Sequence, residues 1–225
     1  MHRQEERRMI FMNHGSFVQT KQGFQAAYEM YLEDRKYASA RIPNDVFHAQ
    51  LHFDSNSGCS YILKPISISS LKKRGITAYG AGRSPYEIYL STGELCGFIY
   101  QKKHSGFLSG YQYTQLQFMG KQYAVYVVDI WGEGAKFPIY RTEGQEHQVA
   151  LIEKPEVVYN RLDQYSWMAL YEEDIDVVGL YLLYFDYMAN NHNRMEVVKS
   201  SKEVHKAKTL NKALLAKYDE NFKQL

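Results

Sequence analysis

Asp176-Val177-Val178-Gly179-Leu180-Tyr181-Leu182-Leu183-Tyr184-Phe185-Asp186-Tyr187-Met188 carries apolar residues on every side of a helical wheel rather than along one stripe. A helix lying on one face of a sheet needs a polar side, so a helix apolar all round is expected to be enclosed. Read as a strand, the run would be a fully buried one, but its length favours the helix. Just ahead of it, Glu172-Glu173-Asp174-Ile175-Asp176 places four carboxylates in five positions. Negative charge there suits the N-terminal end of the helix dipole. Calcium is the competing explanation of that run, but the spacing is not that of an EF-hand loop.

The rest of the chain supplies walls for such a helix. Twenty Tyr and eleven Phe among 225 residues favour strands. From Val46 the pattern alternates, with Phe47, Ala49, Leu51 and Phe53 against His48, Gln50, His52 and Asp54. Further strand-like runs are Tyr61 to Ser67, Gly75 to Tyr79, Tyr86 to Leu90, Leu95 to Gln101, Tyr111 to Phe118, Gln122 to Trp131, Pro138 to Tyr140, His147 to Glu153 and Gln164 to Tyr171. They are separated by turn-formers such as Ser91-Thr92-Gly93, Met119-Gly120-Lys121 and Gly132-Glu133-Gly134. About eleven strands around one helix predict a barrel. One exception precedes them: Phe24, Ala27, Tyr28, Tyr31 and Leu32 recur at helical spacing, which predicts an amphipathic helix from Lys21 to Lys36. The expected division is therefore an N-terminal segment 1–42 carrying that helix, a barrel over 43–193 with its central helix at 176–190, and a tail over 194–225.

Composition excludes several functions. The chain is 45% apolar and 23% charged, as one globular domain would be. With 27 basic against 25 acidic residues, no field demands nucleic acid as a partner. Cys59 and Cys96 are too few for a disulfide framework, and the charged Met1 to Arg8 stretch is unlike a signal peptide, so a cytoplasmic setting is expected. The most hydrophobic stretch, Val177 to Phe185, is under half the ~20 residues needed to span a bilayer.

Candidate chemistry is sparse. His48, His52 and Asp54 share one strand face, but i and i+4 on a strand stand about 13 Å apart, too far to share one metal ion. Gly80-Ala81-Gly82-Arg83-Ser84-Pro85 begins like a dinucleotide fingerprint and ends in proline before a strand, not a helix. No hydrolase or nucleotide-binding motif occurs. No catalytic residue, metal or cofactor is expected.

The basic residues carry the remaining signal. Lys72-Lys73-Arg74 and Lys102-Lys103-His104 lie at apparent strand ends, where the loops of one barrel mouth would gather them against phosphate groups; scattered solubilising charge is the plainer account. In the tail, Ser200-x-x-Glu203 reads as a capping box. Val204, Ala207, Leu210, Leu214 and Tyr218 follow at helical spacing, with Lys202, Lys206, Lys208, Lys212 and Lys217 between them. A C-terminal amphipathic helix is predicted, free to dock on the barrel, to pair with a second subunit or to lie on an anionic membrane.

The Ile88-Tyr89-Leu90-Ser91-Thr92-Gly93 hairpin, echoed by Ile139-Tyr140-Arg141-Thr142-Glu143-Gly144, resembles part of a known superfamily. So do the exit Ile152-Glu153-Lys154-Pro155, the run Asp163-Gln164-Tyr165 and the hydrophobic helix with Phe185-Asp186. Together, from about Tyr86 to Asn191, they look like the tubby C-terminal-like superfamily, which includes LURP-one-related proteins, phospholipid scramblases and small bacterial relatives. The resemblance implies a closed antiparallel barrel of about twelve strands around a central hydrophobic helix, to which the residues above add N- and C-terminal amphipathic helices. It also brings phosphoinositide binding as a precedent, with no motif on which to place that family's lipid residues. The expected function is a non-enzymatic binding or scaffold module, cytoplasmic and peripheral at the membrane, with anionic lipid headgroups as ligand and Lys72, Lys73, Arg74, Lys102, Lys103, Lys206 and Lys212 as the residues to meet them. A protein–protein module using the terminal helices is the alternative, and an enzyme of unrecognised type the third. The sequence leaves the oligomeric state open.

Overall fold

A computed structural model describes residues 12–21, 25–43, 49–80, 83–106, 110–159, 162–190, 202–204 and 206–225. The chain opens with β1 (Asn13–Lys21), β2 (Ala27–Leu32), β3 (Arg35–Arg41), β4 (Leu51–Ser55) and β5 (Ser60–Pro65), then a short helix α1 (Ile68–Lys73). Next come β6 (Tyr86–Leu90), β7 (Leu95–His104), β8 (Tyr111–Phe118), β9 (Lys121–Val125), β10 (Val128–Ile130), β11 (Gly134–Arg141), β12 (His147–Lys154), β13 (Val157–Tyr159) and β14 (Gln164–Ala169). A 3-10 turn, Glu172–Asp174, leads into α2 (Ile175–Asn190), and β15 (Lys202–Val204), α3 (Lys212–Leu215) and a last 3-10 turn, Glu220–Gln224, end the chain.

Every pairing in the main sheet is antiparallel and the order runs β11-β12-β14-β1-β2-β3-β4-β5-β6-β7-β8-β9, after which β9 returns to β11. Twelve strands thus close a barrel, which removes the open edges that a flat sheet would leave. β10 continues along the edge of β11 that β9 uses: Ile139 pairs with Val125 and Lys136 with Val128. This is why Gln122 to Trp131 reads as a single strand in sequence.

The inward set of each strand meets α2. Phe17, Tyr28, Met30, Phe53, Leu63, Ile88, Ile99, Leu116, Phe137, Ile152 and Trp167 form one cluster with Val177, Leu180, Tyr181, Leu182 and Tyr184. Every α2 residue from Val177 to Tyr184 is buried. The enclosed helix inferred from its wheel is therefore the core. Gly179 sits where β4 comes closest, and a Cβ there would stand 2.4 Å from the Phe53 ring and 2.9 Å from the Met30 sulfur.

Four expectations need correction. The helix from Lys21 to Lys36 is absent from the described part of that span, which is instead the end of β1 and the β2–β3 hairpin. Ala26, Tyr28 and Met30 are buried at period two, and Glu33-Asp34 turns the chain with Glu33 at φ 53. Since Leu32 pairs with Arg35, the backbone bonds are met across strands rather than within a helix. The barrel accordingly begins at Asn13, so 1–42 is not a separate segment. Residues 76–80 are not a strand: Ser67 caps α1 by accepting from Ser70 N at 3.1 Å, and the chain then runs on in neither helix nor strand. The strand expected from Val46 begins at Leu51, and residues 44–48 lie outside the described residues. Last, the C-terminal helix is a single turn, Lys212–Leu215, with Val204 in β15 and residues 206–211 in neither helix nor strand. Asn13–Lys21, Val157–Tyr159 and Lys202–Val204 are strands that the count of eleven omitted.

The turn residues fall as expected. Gly93 takes φ 94, and Met119 and Gly120 take φ 50 and 78 in the two-residue β8–β9 hairpin, the pair of left-handed positions that such turns require.

Candidate functional site

Aspartates along α2 fix the helix in the barrel. Tyr123 donates to Asp174 at 2.8 Å, and one Arg141 nitrogen donates to both Asp174 oxygens at 2.8 and 2.9 Å. Tyr37 and Tyr61 each donate to Asp176 at 2.9 Å. Near the other end, Tyr28 and Tyr165 donate to Asp186 at 2.7 and 2.6 Å. Helix-dipole compensation is thus only part of the reason for Asp174 and Asp176: they are also acceptors for hydroxyls of the barrel wall. Burial raises the hydroxyl pKa of all five tyrosines, and the facing aspartate raises it further.

Asp163 lies beside the Asp186 cluster. It pairs with Lys154 at 2.6 Å, and its carboxyl is pushed up to about 6 by burial and then by Asp186. Bordering this cluster, a cavity of about 620 Å³ is lined by Ser16, Lys136, Glu153, Lys154, Tyr165 and Lys223, among others. Its lysines are already neutralised, Lys136 and Lys223 by Glu153 and Lys154 by Asp163.

The tail builds a different surface. Thr209 N donates to Asp129 O at 2.9 Å and Asp129 N to Thr209 Oγ1 at 2.8 Å, which covers part of the edge of β10. Asn211 caps α3 by accepting from Ala213 N and Leu214 N, while its Nδ2 donates to Gly110 O at 3.1 Å. Lys217 lies 3.0 Å from both Glu146 oxygens and above the Tyr126 and Tyr140 rings, and Phe222 is buried. Docking on the barrel, one of the three fates open to the tail, is the observed one.

That docking leaves Lys206, Lys208 and Lys212 without an ion pair among the described residues, in a stretch, Lys206 to Tyr218, that contains no acid. Beside Lys206 stands Trp131, 62% exposed in the β10–β11 turn, with Lys206 Nζ 5.9 Å from its ring. Leu210 is 82% exposed. Lys206 and Lys212, singled out from sequence, are therefore here; Trp131 was not, although a tryptophan between Ile130 and Gly132 at a hairpin turn is a signal for surface placement.

The other basic residues adjoin by contacts. Lys72 and Lys73 close α1, and Arg74 is taken by Glu87 at 2.6 Å with its guanidinium over Phe98. The chain then reaches β7, where Tyr79 N donates to Gln101 O at 2.7 Å and Lys103 Nζ stands 5.4 Å from the Tyr79 ring. Lys102 and Lys103 alternate faces on β7. Their strand end pairs with Tyr111, next to the Gly110 that Asn211 grips. Of the histidine face, His52 and Asp54 sit on β4 and His48 lies outside the described residues; among those described, no three His, Cys, Asp or Glu side chains gather as metal ligands do. Burial lifts the Cys96 thiol to about 11, away from a reactive thiolate. Among the described residues, no helix is long and apolar enough to cross a membrane. No family model matches the chain, nor does any curated protein or solved structure.

Proposed function

We propose that the chain is a non-enzymatic, tubby-like binding module that recognises anionic phospholipid headgroups at the cytoplasmic face of a membrane. The observation that carries this is the exposed Trp131 beside Lys206, together with the exposed Leu210 in the acid-free stretch that carries Lys206, Lys208 and Lys212. An indole suits the headgroup region, lysine stems lie along apolar surface with their charge in water, and each lysine near an anionic surface contributes about 1 kcal/mol. The filled barrel supports a surface site over an internal one. Lys103 and the α1 lysines extend the basic rim toward the β7–β8 turn.

Co-sedimentation with phosphatidylserine-containing and pure phosphatidylcholine vesicles, at low and high salt, tests this. Three lysines correspond to about 3 kcal/mol, so Lys206→Glu/Lys208→Glu/Lys212→Glu should weaken binding to anionic vesicles on the order of 100-fold, and Trp131→Ala should weaken both the low-salt and the salt-resistant part. Equal binding by parent and triple variant sinks the site. If the parent itself fails to bind, the exposed tail surface becomes a protein-docking candidate.

A further inference from the structure

The Lys154–Asp163 pair has a geometry that the binding function does not use. Lys154 Nζ lies 2.6 Å from Asp163 Oδ1, with the two side chains 11% and 3% exposed. Asp163 is held from its backbone: Gln19 N donates to Asp163 O at 2.9 Å, and Asp163 N donates to Gln19 Oε1 at 3.2 Å. Burial and then the charge of the neighbouring Asp186 carboxylate raise its carboxyl pKa, and no N–H or O–H donor among the described residues reaches its Oδ2. Asp186 is 1% exposed and fixed by Tyr28 and Tyr165, with Phe17 stacked against Tyr28. An amine, a carboxyl and a second carboxyl able to carry a proton are therefore held together in an aromatic surround.

We propose that Lys154 and Asp163 condense into an intramolecular isopeptide bond, with Asp186 as the proton carrier. In the reacting pair the ammonium proton passes to the carboxylate along their 2.6 Å hydrogen bond, leaving a neutral amine beside a protonated acid. The Nζ lone pair attacks Cγ of Asp163 and the N–C bond forms. Asp186 accepts the proton shed by the nitrogen and delivers it to the departing hydroxyl; the C–O bond breaks and water leaves. Lysine amine plus aspartic acid gives one amide plus one water, with nothing oxidised or reduced and no co-reactant. Fixed proximity supplies the effective concentration that such a condensation lacks in water. Lys154 and Tyr165 also line the 620 Å³ cavity, which gives the water an exit. The elevated carboxyl of Asp163 is consistent with a site that favours the acid form.

The intact mass of the denatured full chain, after incubation near pH 6, decides the matter. The proposal expects a mass one water below that of the sequence, and a branched tryptic peptide joining the segments that carry Lys154 and Asp163. Lys154→Arg should show the full mass, because a guanidinium is not a competent nucleophile, and Asp186→Asn should keep most of the chain uncondensed. The unmodified mass in the parent overturns the proposal. So does a water loss traced to a linear peptide, which would be a succinimide, and so does undiminished cross-linking in Asp186→Asn. The parent's own mass answers the question even if a variant fails to fold.

Discussion

Asp163 couples burial to pH. Its folded-state pKa of about 6 lies above the ordinary aspartate value, so the folded chain binds the proton more tightly than the unfolded one. Its contribution is therefore greatest below about pH 4 and is lost as pH rises toward 6, by at most about 3 kcal/mol for a shift of roughly two units. Lys154→Arg keeps Asp163 titratable whether or not the parent condenses. Its Tm should fall between pH 4 and pH 6 more steeply than that of Lys154→Arg/Asp163→Asn, and parallel melting curves for the two would show that Asp163 is not the titrating group. Gly179 presents a contest of the opposite kind. Alanine is a better helix former by about 1 kcal/mol, but its methyl would meet the Phe53 ring at 2.4 Å, and overpacking a core costs about 1–3 kcal/mol. Packing should win, so Gly179→Ala is expected to lower the denaturation midpoint, and a gain in stability would mean that β4 yields easily.

The helix α2 is an element whose sequence reveals its burial and conceals its attachment. Apolar residues on all sides could be read directly, and the hairpins from β6 to β9 were legible because alternation and turn glycines are local signals. The bonds that seat the helix are not local: Tyr37 and Tyr61 are far from Asp176 in the chain, as is Tyr28 from Asp186. Tyr37→Phe/Tyr61→Phe would remove both tyrosine donors of Asp176, and leaving a carboxylate short of its donors costs about 1–3 kcal/mol or more. The double variant should show a lower urea midpoint with an unchanged slope, the mark of lost stability without lost compactness, whereas a midpoint equal to the parent's would mean that solvent replaces the hydroxyls. The β2–β3 hairpin was misread because Tyr28, Tyr31 and Leu32 fit helical spacing while the equally good period of Ala26, Tyr28 and Met30 is fixed only by neighbouring strands. The tail was misread likewise: its partner, Asp129, lies far away in sequence, so its helical stripe competed with a contact that periodicity cannot show. Lysines could be counted in advance, but the tryptophan beside Lys206 became part of the candidate site only once the tail was docked.

Across the whole molecule the barrel closes without its tail, since the β9–β11 pairing completes the ring and none of the twelve strands lies beyond residue 190. A chain ending at Arg194 should therefore fold. It would lose the burial of Phe222, worth about 1.5–3 kcal/mol, along with exposed or half-exposed ion pairs of Lys217 and Lys223 that contribute little. For a domain of about 200 residues that amounts to a Tm lower by roughly 5–10 °C, not to unfolding. Lys206, Lys208 and Lys212 leave with the tail, so affinity for anionic vesicles should fall as far as in the triple charge reversal, while Trp131 stays on the barrel. The remaining affinity should show a shallower salt dependence, because fewer charges remain for a Debye length of about 10 Å at 0.1 M to screen. Undiminished binding by the truncated chain would place the contact at Lys72, Lys73, Lys102 and Lys103 instead. A truncated chain with no cooperative melt would mean that the cover over β10 and the seat of Phe222 belong to the folding core.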